Sequence, residues 1–104
     1  MTDNALLQRV GAAVREADPH AQVLLYGSRA RGQAVPESDW DILVLSSVPA
    51  TDDLKREIRH RLYRIEWDTG QVITSIVHSR VEWEAAPLRE TPFHRRVSIE
   101  AVPV

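Results

Sequence analysis

The sequence predicts an α/β (α+β) fold in which a small mixed β-sheet packs against helices. Segments with apolar residues at helical spacing alternate with short apolar runs rich in β-branched residues. Their order along the chain is helix, strand, strand, helix, strand, helix, which lets helices cover a sheet. Glycine, proline and serine separate the segments and indicate turns and loops.

The first half of the chain contains one predicted helix and two predicted strands. Residues 3–17 show helical apolar spacing and are followed by a proline. Residues 23–26 form a short apolar run that is typical of a buried strand, and residues 28–31 are predicted to start a short helix. Residues 32–38 are a predicted loop, and residues 40–45 form the second strand.

The second half contains the clearest helix, at residues 51–67, where apolar side chains recur on one face. Residues 71–78 are rich in β-branched residues and predict the third strand. Residues 81–86 predict a short helix that a proline stops, and residues 92–101 predict the last helix. We therefore expect three strands and two principal helices, with shorter helices toward the C-terminus.

Length and composition restrict the class of protein. The chain has 104 residues, so we expect residues 1–104 to form a single domain. A formal charge of −2 argues against binding to nucleic acid or to an anionic membrane. No cysteine is present, which excludes disulfides and thiolate nucleophiles. Without a membrane-length apolar run or a signal peptide, we expect a soluble, cytoplasmic protein.

Two aspartates at the start of the second strand are the first candidate site. Alternate side chains of a strand point to the same side, so Asp39 and Asp41 should project together with α-carbons about 6.5 Å apart. Trp40 must then point away from them, into the core or a subunit contact. Two neighbouring carboxylates repel unless a cation lies between them, and magnesium prefers such oxygen ligands.

A glycine-serine corner, Gly27 and Ser28, precedes this pair where the first strand ends. Glycine permits the close approach of an anion, and backbone amides and a hydroxyl are presented to it there. Arg29 and Arg31 add positive charge nearby. Phosphoryl and nucleotidyl transfer need such a phosphate site followed by metal-binding carboxylates. Each part alone is often just a turn or a solvated strand end, but the joint pattern is far more specific.

This joint pattern resembles the signature of the polymerase-β-like nucleotidyltransferase superfamily, which is Gly-Ser, a spacer and Asp-x-Asp. It is similar to the minimal nucleotidyltransferases in two motifs, Gly-Ser-x-Ala-Arg-Gly at residues 27–32 and Ser-Asp-x-Asp at residues 38–41. The resemblance implies a polymerase-β-like core and the transfer of a nucleoside monophosphate, AMP from ATP, with Mg²⁺ or Mn²⁺. It implies that Asp39 and Asp41 are catalytic and bind the metal ions. The implied nucleotide-binding residues are Gly27, Ser28, Arg29, Arg31 and Ser38.

One position departs from the family pattern. Members usually carry a third carboxylate on a later strand, and the aligned position in this chain is Ser75. General-base help contributes about 10²- to 10⁴-fold in rate, so Ser75 leaves catalytic activity open. Glu66 or Asp68 is a candidate substitute, although both also fit solvated residues at a helix end. His78 is a further candidate base, or a strand-end residue without a role.

Two functions follow from this pattern. The first is an enzyme whose acceptor is a hydroxyl, including a tyrosine of a partner toxin, because minimal nucleotidyltransferases often act as antitoxins of HEPN-type proteins. The second is a nucleotide-binding module with weak or no catalysis that binds and masks its partner, which Ser75 favours. The resemblance implies a HEPN-like protein partner. The nucleotide base and the oligomeric state stay open, and an oligomer in which another subunit supplies a carboxylate is one alternative.

Overall fold

The computed structural model describes residues 2–104. The helices are α1 (Asp3–Ala17), α2 (Asp52–Thr69), α3 (Arg80–Trp83) and α4 (Pro92–Glu100). The strands are β1 (Gln22–Tyr26), β2 (Trp40–Ser46), β3 (Ile73–Ser79) and β4 (Val102–Pro103). None of the helices in these residues is both long enough and apolar enough to cross a lipid bilayer.

The four strands form one mixed sheet in the order β3-β2-β1-β4. β1 is antiparallel to both β2 and β4, whereas β2 is parallel to β3. Parallel neighbours need a crossover connection, and α2 supplies it between β2 and β3. The predicted mixed sheet packed with helices is therefore confirmed.

Helices cover both faces of the sheet. Ile42 and Val44 of β2 point to one face and pack in a core with residues of α1 and α2. Leu43 and Leu45 point to the opposite face and pack in a second core with Trp83 of α3 and a residue of α4. A strand buried on both faces has no polar alternation, which explains the continuous apolar run of β2. We call these two sides the α1/α2 face and the α3/α4 face.

Side-chain caps and one glycine fix the helix ends. The Thr2 hydroxyl accepts a hydrogen bond from Ala5 N at the start of α1, and the Thr51 hydroxyl accepts one from Leu54 N at the start of α2. α2 runs two residues past its predicted end, because Gly70 is the residue that adopts the left-handed conformation and ends it.

Three local predictions were wrong or incomplete. Residues 28–31 form a turn rather than the start of a helix. The short helix predicted at residues 81–86 covers only Arg80–Trp83, and a 3₁₀ turn at Leu88–Glu90 follows it. The two-residue strand β4 was not predicted at all. It depends on pairing with β1 and on a backbone hydrogen bond from Val104 N to Val23 O. A local sequence pattern cannot predict these contacts, because they join segments that are far apart in the chain.

Candidate active site

The two aspartates lie at the start of β2, on the α3/α4 face. Asp41 pairs with Thr74 of β3, and partners across parallel strands share a face. Asp39 directly precedes the strand, with its Oδ2 3.5 Å from the Thr74 hydroxyl. Trp40 between them is 3 % exposed and belongs to the core of the α1/α2 face. The two carboxylates therefore project to the same side of the sheet.

Gly27 lies directly against Asp41. The two residues meet because Tyr26, at the end of β1, pairs with Asp41 across the antiparallel ladder. Gly27 has φ +77°, and a Cβ added to it would lie 2.2 Å from Asp41 Oδ2. Only glycine satisfies both the left-handed conformation and this close approach. The fold thus brings the glycine-serine corner and the aspartates together.

The corner is a hydrogen-bonded turn. The amides of Ala30 and Arg31 both donate to Gly27 O at 3.1 Å, and Gln33 N donates to Ser28 O at 2.9 Å. Because no helix begins here, a helix dipole cannot contribute to anion binding. An anion would depend on individual amides, the half-buried Ser28 and the arginines.

Arg29 and Ser38 hold the loop that leads to Asp39. Arg29 Nε and Nη2 donate to Ser38 O at 3.1 and 2.9 Å, and Nη2 also donates to Pro36 O. The guanidinium lies 3.9 Å from the centre of a Trp40 ring, which adds a cation–π contact. The Ser38 hydroxyl accepts a hydrogen bond from the backbone N–H three residues before it. Both side chains, predicted to bind nucleotide, are engaged by the protein itself in this structure.

Glu100, the last residue of α4, reaches the same corner and was missed by sequence reasoning. Its Oε2 accepts a hydrogen bond from Gly27 N at 2.5 Å, and Arg31 Nη1 donates to its two carboxylate oxygens at 3.1 and 3.3 Å. The Glu100 side chain is only 10 % exposed. It is 73 residues from Gly27 along the chain, so no local motif could have linked the two.

Negative charge is concentrated at this corner. Partial burial raises the pKa of Asp41, and the charges of Asp39 and Glu100 raise it further, while Arg31 acts in the opposite direction. Burial also raises the pKa of Tyr26, with additional contributions from Asp41 and Glu100. Arg31 therefore compensates only part of the negative charge around Asp41.

Comparison with known proteins identifies the family of the chain. The family model described as nucleotidyltransferase domain matches residues 7–103. The chain belongs to the nucleotidyltransferase domain family. No curated protein sequence matches it significantly.

One similar solved structure is described as the "Crystal structure of the toxin-antitoxin with AMP-PNP". The TM-score is 0.61 at 16 % identity, and the match covers 98 % of this chain and 72 % of that chain. At this identity the likeness shows the fold, and it confirms the predicted polymerase-β-like core. The family match confirms the predicted relationship to nucleotidyltransferases.

The third-carboxylate position of this nucleotidyltransferase domain needs a correction. Ser75 pairs with Ile42, whose side chain lies in the core of the α1/α2 face, away from the aspartates. A shift of one residue along a strand changes the face, so Thr74 is the β3 residue beside the aspartates. Threonine carries no charge either, so β3 still supplies no third carboxylate there.

None of the three substitutes considered from the sequence is available beside the aspartates, because two are engaged elsewhere and one lies too far away. Glu66 Oε2 accepts a hydrogen bond from Ile73 N at 3.0 Å, and Asp68 forms an ion pair with Arg9. His78 lies four residues beyond Thr74 on β3, which is about 13 Å along the strand. Burial is the main reason that its pKa is lowered. His78 is therefore too far away to act as the base at the aspartates.

The aspartates fit a magnesium ion as partial ligands. They offer hard oxygen donors on one face, and Asp41 lies in a partly desolvated position with excess negative charge. Within residues 2–104, no three histidine, cysteine, aspartate or glutamate side chains converge as a metal site. Magnesium commonly binds through one or two carboxylates and completes its shell with water and substrate phosphates, so the two aspartates match the number of carboxylates that such a site needs.

Proposed function

We propose that the chain transfers a nucleoside monophosphate, AMP from ATP, to a hydroxyl group. The observation that supports this most strongly is the contact between Gly27 and the Asp41 carboxylate, with Asp39 on the same side of the sheet. This contact unites a corner where phosphate oxygens can approach the backbone with two oxygen ligands for a divalent cation.

The proposed reaction is a displacement at the α-phosphorus of the nucleotide. The acceptor oxygen forms a bond to this phosphorus, the bond to the bridging oxygen breaks, and pyrophosphate leaves. The acceptor proton passes to solvent, since no basic side chain from β3 lies beside the aspartates. Mg²⁺ held by Asp39 and Asp41 would neutralise charge on the phosphates. The Gly27 amide and the Arg31 guanidinium would donate to the triphosphate oxygens.

The acceptor hydroxyl is proposed to belong to a partner protein. The similar solved structure is a toxin–antitoxin assembly with AMP-PNP, which associates this fold with a protein partner and a nucleotide analogue. For this chain we extend the idea to a HEPN-like toxin and to a tyrosine as its acceptor. The chain would then act as the antitoxin by modifying its partner.

A second candidate function is binding without transfer. Thr74 supplies only a hydroxyl beside the aspartates, and Glu66 and Asp68 are engaged elsewhere. Loss of general-base assistance would reduce transfer by about 10²- to 10⁴-fold while leaving nucleotide binding in place. In that case the chain neutralises its partner by covering it.

One assay separates the two functions. The purified chain is incubated with the protein encoded beside it, Mg²⁺ and ATP labelled at the α-phosphate. If the chain transfers AMP, the partner becomes labelled, and the labelling rate falls by at least about 10²-fold in Asp39→Asn and in Asp41→Asn. Asp52→Asn, an exposed acid at the start of α2, is the matched control and should keep full activity. Neutralisation of the partner that survives both active-site substitutions, without labelling, would instead support the binding module.

A further inference from the structure

The carboxylate of Glu100 occupies donors that the proposed triphosphate would use. It accepts hydrogen bonds from Gly27 N at 2.5 Å and from Arg31 Nη1 at 3.1 and 3.3 Å. Carboxylate and phosphate oxygens are both anionic acceptors, so they compete for the same backbone and guanidinium N–H groups. We call the Gly27 N–H and the Arg31 guanidinium the donor pair.

The surrounding charges make simultaneous occupation unfavourable. Asp39 and Asp41 already place two carboxylates on this side of the sheet, and Arg31 is the cation that Glu100 contacts. The other arginine of the corner, Arg29, is committed to the loop carbonyls. A triphosphate that entered while Glu100 stayed in place would meet like charges with little compensation, and like charges at short range repel strongly.

We propose that Glu100 is an internal competitor that fills the donor pair and must swing out before a triphosphate binds. The inference rests on the proposed function for the identity of the incoming anion. The side chain is the part that would move, because hydrogen bonds hold the backbone that follows it, from Ala101 N to Val97 O and from Val104 N to Val23 O. The apparent affinity is then reduced by the fraction of molecules in which the donor pair is open.

Inorganic tripolyphosphate without metal tests the competitor directly, because it probes the donor pair alone. By titration calorimetry, Glu100→Ala should bind tripolyphosphate about tenfold more tightly than the wild-type chain. Glu90→Ala removes the same charge from an exposed position on the 3₁₀ turn and should leave the affinity unchanged. Equal or weaker binding by Glu100→Ala would overturn the proposal, and weaker binding would mean that Glu100 supports the anion site.

A second variant covers the case in which Glu100→Ala does not fold. Glu100→Gln keeps the shape of the side chain but loses the charge that strengthens its hydrogen bonds, so it should also bind more tightly, by a smaller factor. The labelling assay separates this inference from the proposed function. If the Glu100 variants bind tripolyphosphate more tightly but neither the wild-type chain nor any variant labels the partner, the proposed enzymatic function is refuted and the competitor role of Glu100 is supported. Labelling by the wild-type chain with unchanged affinity in both Glu100 variants refutes the competitor and keeps the enzyme.

Discussion

At the scale of single residues, Gly27 and Asp41 are the most tightly constrained pair in the site. Gly27 adopts φ +77° and leaves no room for a Cβ next to Asp41 Oδ2. Asp41 in turn carries a raised pKa because it is partly buried and close to Asp39. A site that holds a carboxylate in a position that disfavours its charge gives up stability for function.

Gly27→Ala should abolish binding of a nucleotide with Mn²⁺, because the added Cβ displaces the Asp41 carboxylate. The backbone strain alone should cost about 1 kcal/mol of unfolding free energy. Gly70→Ala is the matched control, since Gly70 has φ +72° and nothing within 4 Å of an added Cβ. It should lose similar stability and keep full nucleotide affinity, measured by urea unfolding and calorimetry. Equal loss of affinity in both variants would contradict this account.

Asp41→Asn should unfold at a higher temperature than the wild-type chain at neutral pH without metal. The pKa of Asp41 is raised in the folded chain, so its ionisation lowers the free energy of unfolding as the pH rises from the unfolded pKa through the folded pKa. At neutral pH this destabilisation is complete. Asparagine carries no such cost, so the difference in melting temperature should shrink as the pH falls through the raised folded pKa and should reach its minimum below the unfolded pKa, near 4. Melting curves from pH 3 to 8 check this. A lower melting temperature for Asp41→Asn at pH 7 would refute it.

At the scale of elements, the connections between strands and helices place the site. Asp18, directly after α1, is 4 % exposed and accepts hydrogen bonds from Ser47 N, Ser47 Oγ and His20 N. It thereby ties the α1–β1 connection to the end of β2. Burial acts to raise the pKa of Asp18, but these hydrogen bonds outweigh it and lower the pKa below the usual value.

Asp18→Ala should destabilise the fold by about 1–3 kcal/mol, because it leaves the Ser47 and His20 donors without their partner. In the wild-type chain this contribution is fully present above the unfolded pKa of an aspartate, near 4, and is lost as the pH falls through the lowered folded value. Urea unfolding at pH 7 and pH 3 measures both effects. Asp53→Ala, an exposed acid on α2, should change stability by less than about 0.5 kcal/mol. A similar small change in Asp18→Ala would contradict the assigned role.

Local patterns predicted the elements well, and pairing between distant segments explains what they missed. The sequence correctly predicted that Asp39 and Asp41 share a face, because side chains two residues apart on a strand point to the same side. The face that Ser75 occupies depends on the register of β3 against β2. Matching the sequence to the family pattern put the third-carboxylate position at Ser75, one residue beyond Thr74, which lies beside the aspartates. The turn at residues 28–31 follows from Gly27 and its hydrogen bonds, whereas the sequence pattern also fitted a helix start.

At the scale of the whole molecule, the sheet brings four segments that are far apart in the sequence to one corner. Gly27 directly follows β1, Asp41 lies in β2, Thr74 lies in β3, and Glu100 ends α4 shortly before β4, which pairs with β1. Glu100 was not predictable because its place depends on this pairing across the whole chain. The motif therefore identified the family and most residues of the candidate site, whereas the distribution of charge around that candidate site could be described only from the fold.

The most direct test of the central claim is a crystal structure with Mn²⁺ and a non-hydrolysable ATP analogue. The anomalous signal of manganese should lie between the Asp39 and Asp41 carboxylates, with triphosphate oxygens at the Gly27 amide and the Glu100 side chain turned away. Manganese bound elsewhere, or a triphosphate that avoids the Gly27 corner, would contradict the account.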